Sequence, residues 1–171
     1  MLNNIVLIGM MGSGKTSVGQ AISRKANLPF IDTDAMIEGS TKMTISHIFE
    51  QYGETYFRSL EAEAAQQAAL HVGTVIATGG GIILSPQNMV LLGVSGLVVY
   101  LRGNTSQLYE RTAGDRSRPL LNAADKRLMK IEELLVQREP LYTQYSDLIL
   151  DIGEASVDEL SEMVLERVKN E

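Results

Sequence analysis

The 171 residues are 44% hydrophobic and 21% charged, a balance that fits one folded domain and argues against disorder. Cysteine is absent, which excludes disulfides, thiolate nucleophiles and thiolate zinc sites and fits a reducing compartment. The formal net charge of −6 argues against a nucleic-acid partner, which needs a basic face, so an anionic ligand would need a local basic pocket.

The chain opens Met1-Leu2-Asn3-Asn4 without the basic region of a signal peptide, and no apolar run reaches the roughly 20 residues that span a bilayer. A soluble, cytoplasmic protein with no membrane partner is the expectation. Asn4–Ile8 reads as a buried strand and Thr16–Lys25 as a helix with Val18, Ile22 and Ala26 on one face. Pro29–Asp32 is a short second strand. Thr44 is placed to cap a helix holding Ile45, Ile48 and Phe49, and Thr55–Leu70 is a separate helical stretch. Thr74–Thr78 is a third strand. Ser85-Pro86 puts a cap and then proline at a first helical position. Leu97–Leu101 and Asp147–Asp151 are the fourth and fifth strands, and Ser156-Val157-Asp158-Glu159 has the spacing of a capping box opening a last helix. Thr112–Asp125 lacks periodicity and reads as an exposed loop of lid length.

Strands alternating with helices predict an α/β fold, a parallel sheet covered on both faces. In such sheets ligands sit outside the carboxyl ends of the strands, which singles out Gly9 onward, Asp32–Asp34 and Thr78–Gly81.

Gly9-Met10-Met11-Gly12-Ser13-Gly14-Lys15-Thr16 matches the phosphate-loop pattern G-x-x-x-x-G-K-[ST] between a strand and a helix. Glycines permit positive φ, successive N–H groups then converge on a phosphate, and the helix adds its positive dipole end. Lys15 is placed to reach the β- and γ-phosphates of ATP, and the Thr16 hydroxyl to ligate Mg²⁺. Asp32 and Asp34, two residues apart on an extended chain, would point the same way. One could support Mg²⁺ and the other orient or deprotonate a hydroxyl nucleophile; the bland alternative is a turn with Asp34 capping Ala35–Glu38. Gly79-Gly80-Gly81 implies either close approach to a ligand or a tight turn. Arg58, Arg111, Arg116, Arg118 and Arg138 carry guanidinium groups that match an anion, but any one arginine taken alone is more often a solvated surface residue or an ion-pair partner, and Glu61 is such a partner for Arg58 at i,i+3. His47 and His71 read as structural or surface residues, Met10 and Met11 as loop packing, and Phe49 and Phe57 as core.

These pieces occur in one order: Gly9–Thr16; Asp32-Thr33-Asp34; Gly53-Glu54 with Phe57-Arg58 and Glu61; Gly79-Gly80-Gly81; Arg118-Pro119-Leu120-Leu121; Arg138 with Pro140-Leu141-Tyr142. The ordered set resembles the shikimate kinases over nearly the whole chain. The resemblance implies a single P-loop domain of the nucleoside-monophosphate-kinase type, with a five-stranded parallel sheet, a mobile lid about residues 112–125 and a substrate-binding helical region about residues 33–62. It implies transfer of the ATP γ-phosphate to the 3-hydroxyl of shikimate, in chorismate and aromatic amino acid biosynthesis, with Mg²⁺ and as a monomer. By the same resemblance Lys15, Asp34 and Arg118 are catalytic, Asp34 as the base and Arg118 closing from the lid onto the phosphates. Gly12, Ser13, Gly14, Lys15, Thr16, Ser17, Arg111 and Arg118 bind ATP, with Arg111 against the adenine. Arg58 and Arg138 hold the shikimate carboxylate, Gly79, Gly80 and Gly81 with Asp34 line the same substrate, and Thr16 and Asp32 serve Mg²⁺. Two other readings are a gluconate-type small-molecule kinase and a nucleotide-binding regulatory domain without catalysis. Retention of Lys15, Thr16, Asp32, Asp34 and Arg118 counts against the second.

Overall fold

The computed structural model describes residues 3–113 and 126–170. Five strands, β1 (Asn4–Ile8), β2 (Phe30–Asp32), β3 (Val75–Ala77), β4 (Gly96–Arg102) and β5 (Leu148–Asp151), form one sheet in the order β2-β3-β1-β4-β5. Every pairing is parallel, with Ile5 in register with Val75 on one side and Leu97 on the other. The described helices are α1 (Lys15–Ala26), α2 (Thr33–Thr41), α3 (Ile45–Ala69), α4 (Pro86–Ser95), α5 (Thr105–Thr112), α6 (Arg127–Tyr145) and α7 (Val157–Lys169). A 3-10 turn at Ile82–Leu84 precedes α4.

The central strand β1 is buried along its whole length, as a strand covered on both faces must be. Its residues alternate between two cores. Val6 and Ile8 join Ile76, Val98 and Tyr100 against α3, α4 and α6. Ile5 and Leu7 join Val75, Val99 and Leu101 against Val18 and Ile22 of α1 and Leu160 and Val164 of α7. A third cluster, Ile37, Ile48, Phe57 and Ala64, packs α2 on α3.

Caps fix the helix starts. Thr44, Ser85, Asn104 and Ser156 each accept a backbone N–H, and Asn104 and Ser156 complete capping boxes with Gln107 and Glu159. The two helical stretches expected around Thr44 and over Thr55–Leu70 meet end to end in α3 and are parted at Gly53, whose φ of 81° and ψ of 174° break the helix. One expectation changes. Thr112 is not loop: it is buried at the end of α5 and its hydroxyl donates to Leu108 O at 2.7 Å. The remainder of the expected lid, residues 114–125 with Arg116 and Arg118, lies outside the described residues.

The topology places the site. The chain leaves β1 toward β2 and leaves β3 across β1 toward β4, so the connections after β1 and β3 diverge at their carboxyl ends. Such a divergence opens a crevice in a doubly wound sheet. The phosphate loop follows β1 and the glycine run follows β3, so both stand at its mouth. Among the described residues no helix is long and apolar enough to cross a membrane.

Candidate active site

The loop after β1 has the backbone that its glycines predict. Gly9, Gly12 and Gly14 have φ of 147°, 81° and 91°, conformations that side-chain-bearing residues rarely adopt. Lys15 opens α1 and is buried; its ammonium donates to Gly9 O at 2.8 Å and Met10 O at 2.9 Å and lies 3.4 Å from Ser13 Oγ. The next residue, Thr16, is exposed, and its hydroxyl donates to Asp32 Oδ2 at 2.9 Å. A cavity of about 300 Å³ lies over this loop, lined by Gly12, Gly14, Lys15, Thr16 and Ser17 with Arg111 and Val157. Arg111 reaches over from α5, so that a Cβ on Gly14 would stand 3.4 Å from its guanidinium. Ser13 is fully buried beneath the loop, where it packs against Gly9.

Asp32 and Asp34 do share a site, by a different geometry from the expected one. Asp32 is extended (φ −119°, ψ 119°), but the chain turns helical at Thr33, so the two do not lie on one strand. Asp32 Oδ1 accepts from the N–H groups of Asp34 and Ala35 at 3.0 and 3.2 Å. The cap of α2 is therefore Asp32, not Asp34. Its second oxygen is the one that meets Thr16, while Asp34, in the first turn, is turned toward the glycine run: a Cβ on Gly79 would stand 2.7 Å from Asp34 Oδ1 and 3.1 Å from Glu61 Oε2. Of the two readings of the glycines, the turn is the one that the structure shows. The run makes a turn, with Ile82 N–H on Gly79 O at 3.2 Å, and it also admits three charged side chains, because a Cβ on Gly81 would collide with the Arg58 guanidinium.

A second cavity, about 330 Å³, opens beside the first and contains Gly79, Gly80, Gly81, Arg58, Glu61 and Arg138. Met11, Phe49 and Phe57 supply its apolar wall, so these side chains are packing residues and pocket wall together. The phenylalanine rings stand 4.7 Å apart. Arg58 donates to Glu61 Oε1 at 2.7 Å and Glu54 Oε1 at 3.0 Å. Burial pushes the Glu61 carboxyl above its ordinary range, more than the Arg58 charge pulls it back. At Arg58 burial also disfavours the charge, but Glu61 and Glu54 together outweigh it and raise its pKa. Arg138, 3% exposed, approaches from α6. The two cavities share Thr16, Asp32 and Asp34.

Sequence reasoning missed part of this. Glu61 is a buried wall of the second cavity and not only a helical neighbour of Arg58. Thr33 Oγ1 accepts the Gly79 N–H at 3.1 Å, and the Tyr142 hydroxyl donates to Gly80 O. Both contacts join residues more than forty positions apart, so no local pattern announces them; the only signal was that Tyr142 follows Arg138 by one helical turn. His47 and His71 are exposed, as expected.

The shikimate kinase family model matches residues 11–169. A shikimate kinase from Burkholderia thailandensis is 44% identical over 162 residues, 95% of this chain and 88% of the relative. The structure of a shikimate kinase from Acinetobacter baumannii in complex with shikimate matches with a TM-score of 0.96 and 34% identity, covering 99% of this chain and 94% of that one. A gluconokinase from Sinorhizobium meliloti matches over 98% of this chain and 92% of its own with a TM-score of 0.61 and 20% identity, a likeness of fold alone. With the model spanning most of its length and a relative at this identity over nearly all of it, the chain belongs to the shikimate kinase family.

Proposed function

We propose that the chain transfers the γ-phosphate of ATP to the 3-hydroxyl of shikimate, giving shikimate 3-phosphate for aromatic amino acid biosynthesis. The observation that carries this reading is the pair of cavities that meet at Thr16, Asp32 and Asp34, one floored by a phosphate loop and the other walled by two arginines. Phosphoryl transfer needs a donor and an acceptor in line, with charge neutralised between them. The first cavity supplies converging N–H groups, a helix N-terminus and Lys15 for the phosphates. The second supplies Arg58 and Arg138 for a carboxylate, Phe49, Phe57 and Met11 for the face of a carbon ring, and glycine backbone for close approach. Asp34 lies where the two meet and takes the role of orienting the attacking hydroxyl and receiving its proton. Gly12, Ser13, Gly14, Thr16, Ser17 and Arg111 complete the nucleotide side. For Arg118 the support is the Arg118-Pro119-Leu120-Leu121 match alone.

Thr16 and Asp32 fit Mg²⁺. Their oxygens are hard donors 2.9 Å apart and open onto both cavities, and Mg²⁺ needs few protein oxygens when phosphates and water complete its shell. When bound, the ion neutralises phosphate charge. The enzyme is assigned to the cytoplasm as a monomer on the family resemblance, and the absence of cysteine agrees with a reducing compartment.

The test is ADP release with Mg-ATP and a panel of shikimate, gluconate and nucleoside monophosphates. Shikimate-dependent release far above the other acceptors is expected. Release that follows gluconate instead, or no acceptor dependence at all, sinks the assignment.

A further inference from the structure

Three peptide planes floor the acceptor cavity, and each is held by a different partner. The Gly79 N–H donates to Thr33 Oγ1, the Gly79 carbonyl accepts from Ile82 N–H, and the Gly80 carbonyl accepts from the Tyr142 hydroxyl. The described peptides are trans, so fixing a carbonyl sends the following N–H the opposite way. The Ile82 bond thus sets the direction of the Gly80 N–H. The Tyr142 bond sets that of the Gly81 N–H.

Tyr142 lies four residues beyond Arg138, one turn along the same face of α6. It is fully buried; burial pushes the phenol pKa up, and the positive charge of Arg138, one turn back on the same helix, opposes this. Gly80 sits between these groups and the phosphate loop, since a Cβ on it would stand 3.4 Å from Met11 N and 3.7 Å from the Arg138 guanidinium. The Tyr142 ring stacks on Tyr100, centroids 4.9 Å apart, but the two phenols differ. The Tyr100 hydroxyl has no hydrogen-bond partner among the described residues. Tyr100 therefore offers a surface, and Tyr142 offers a surface and a bond.

We propose that Tyr142 is a positioning residue for the acceptor: its buried hydroxyl fixes the Gly80 carbonyl next to Arg138, so that the glycine floor is held in place against one arm of the carboxylate clamp. The inference rests on the acceptor reading above and concerns a residue that reading does not use. Without the bond, the Gly80–Gly81 peptide beside Arg138 loses its fixed plane.

The test compares Tyr142→Phe with Tyr100→Phe, each losing one hydroxyl and keeping the ring stack. For Tyr142→Phe, kcat/KM for shikimate should fall by about tenfold with KM for ATP within about twofold, the loss expected when one buried hydrogen bond that orients a substrate is removed. Tyr100→Phe should leave both constants near wild type. Equal shikimate kcat/KM in wild type and Tyr142→Phe, or a parallel loss for both substrates, overturns the proposal. Wild-type protein inactive on shikimate instead overturns the acceptor reading itself. If Tyr142→Phe does not fold, the wild type still decides: on shikimate addition, the Gly80 and Gly81 amide and Tyr142 ring resonances should shift together, and an unresponsive Tyr142 ring refutes the link.

Discussion

Arg58 and Arg138 have the same head group in different surroundings, and that difference predicts how each fails. Arg58 is half-buried and already bonded to Glu54 and Glu61, so a carboxylate ligand must share it. Arg138 is buried and stands over the glycine run. Truncating either partner of a desolvated charge pair costs about 2–5 kcal/mol of binding. Arg58→Ala and Arg138→Ala should each weaken shikimate binding by that order, read by titration calorimetry, while ATP affinity stays near wild type. Arg58→Ala should also destabilise the fold, because it strands the Glu61 carboxylate, 1% exposed, without its counter-charge. Unchanged shikimate affinity in both variants removes the clamp. What was legible in the sequence at this scale follows chain distance. Lys15 and Thr16 were readable because their partners lie in one local loop or strand end. The second role of Glu61 was not, since its unbonded oxygen faces Gly79 across the fold.

At the scale of elements, caps at Thr44, Ser85 and Ser156 declared three helix starts and short apolar runs the strands, whereas α5 and α6 carried no reading of their own, and the cap of α2 was placed two residues late. Asp32 rather than Asp34 caps α2 because the chain is extended only as far as Asp32. Gly53 separates two helical stretches in conformation without separating them in space, so α3 continues beyond it to Phe57, Arg58 and Glu61. Among the described residues, nothing beyond its chain neighbours and its own helix backbone lies within 4 Å of a Cβ built on Gly53, so the penalty for a side chain there is one of backbone conformation. Its φ and ψ lie in a region open essentially to glycine, and holding another residue there costs about 1–3 kcal/mol. Gly53→Ala should lower the urea midpoint accordingly. Relief of the strain by straightening α3 would re-aim Arg58, five residues on, so KM for shikimate should rise more than KM for ATP. A variant as stable as wild type would show that the bend is not set by this residue.

For the whole molecule, the parallel sheet separates chemistry from support. The phosphate loop, Asp32–Asp34 and the glycine run leave the carboxyl ends of β1, β2 and β3, whereas the amino ends of β1 and β3 are joined by Asn4. This side chain is buried, its amide donating to His71 O at 2.6 Å and accepting from Thr74 N at 3.0 Å, which ties the turn before β3 to the start of β1. The five residues of β1 put about 16 Å between Asn4 and the phosphate loop. Asn4→Ala leaves two backbone groups without their partner, at about 1–3 kcal/mol for each that stays dry. The melting temperature should therefore fall, while KM for both substrates and kcat, measured well below the transition, should match wild type. Distant sites without shared partners act independently, so Asn4→Ala combined with Arg138→Ala should show the sum of the two single effects on stability and only the Arg138 effect on shikimate binding. A change in KM caused by Asn4→Ala alone would mean that β1 transmits strain along its length, and the two ends of the sheet would then have to be treated as one.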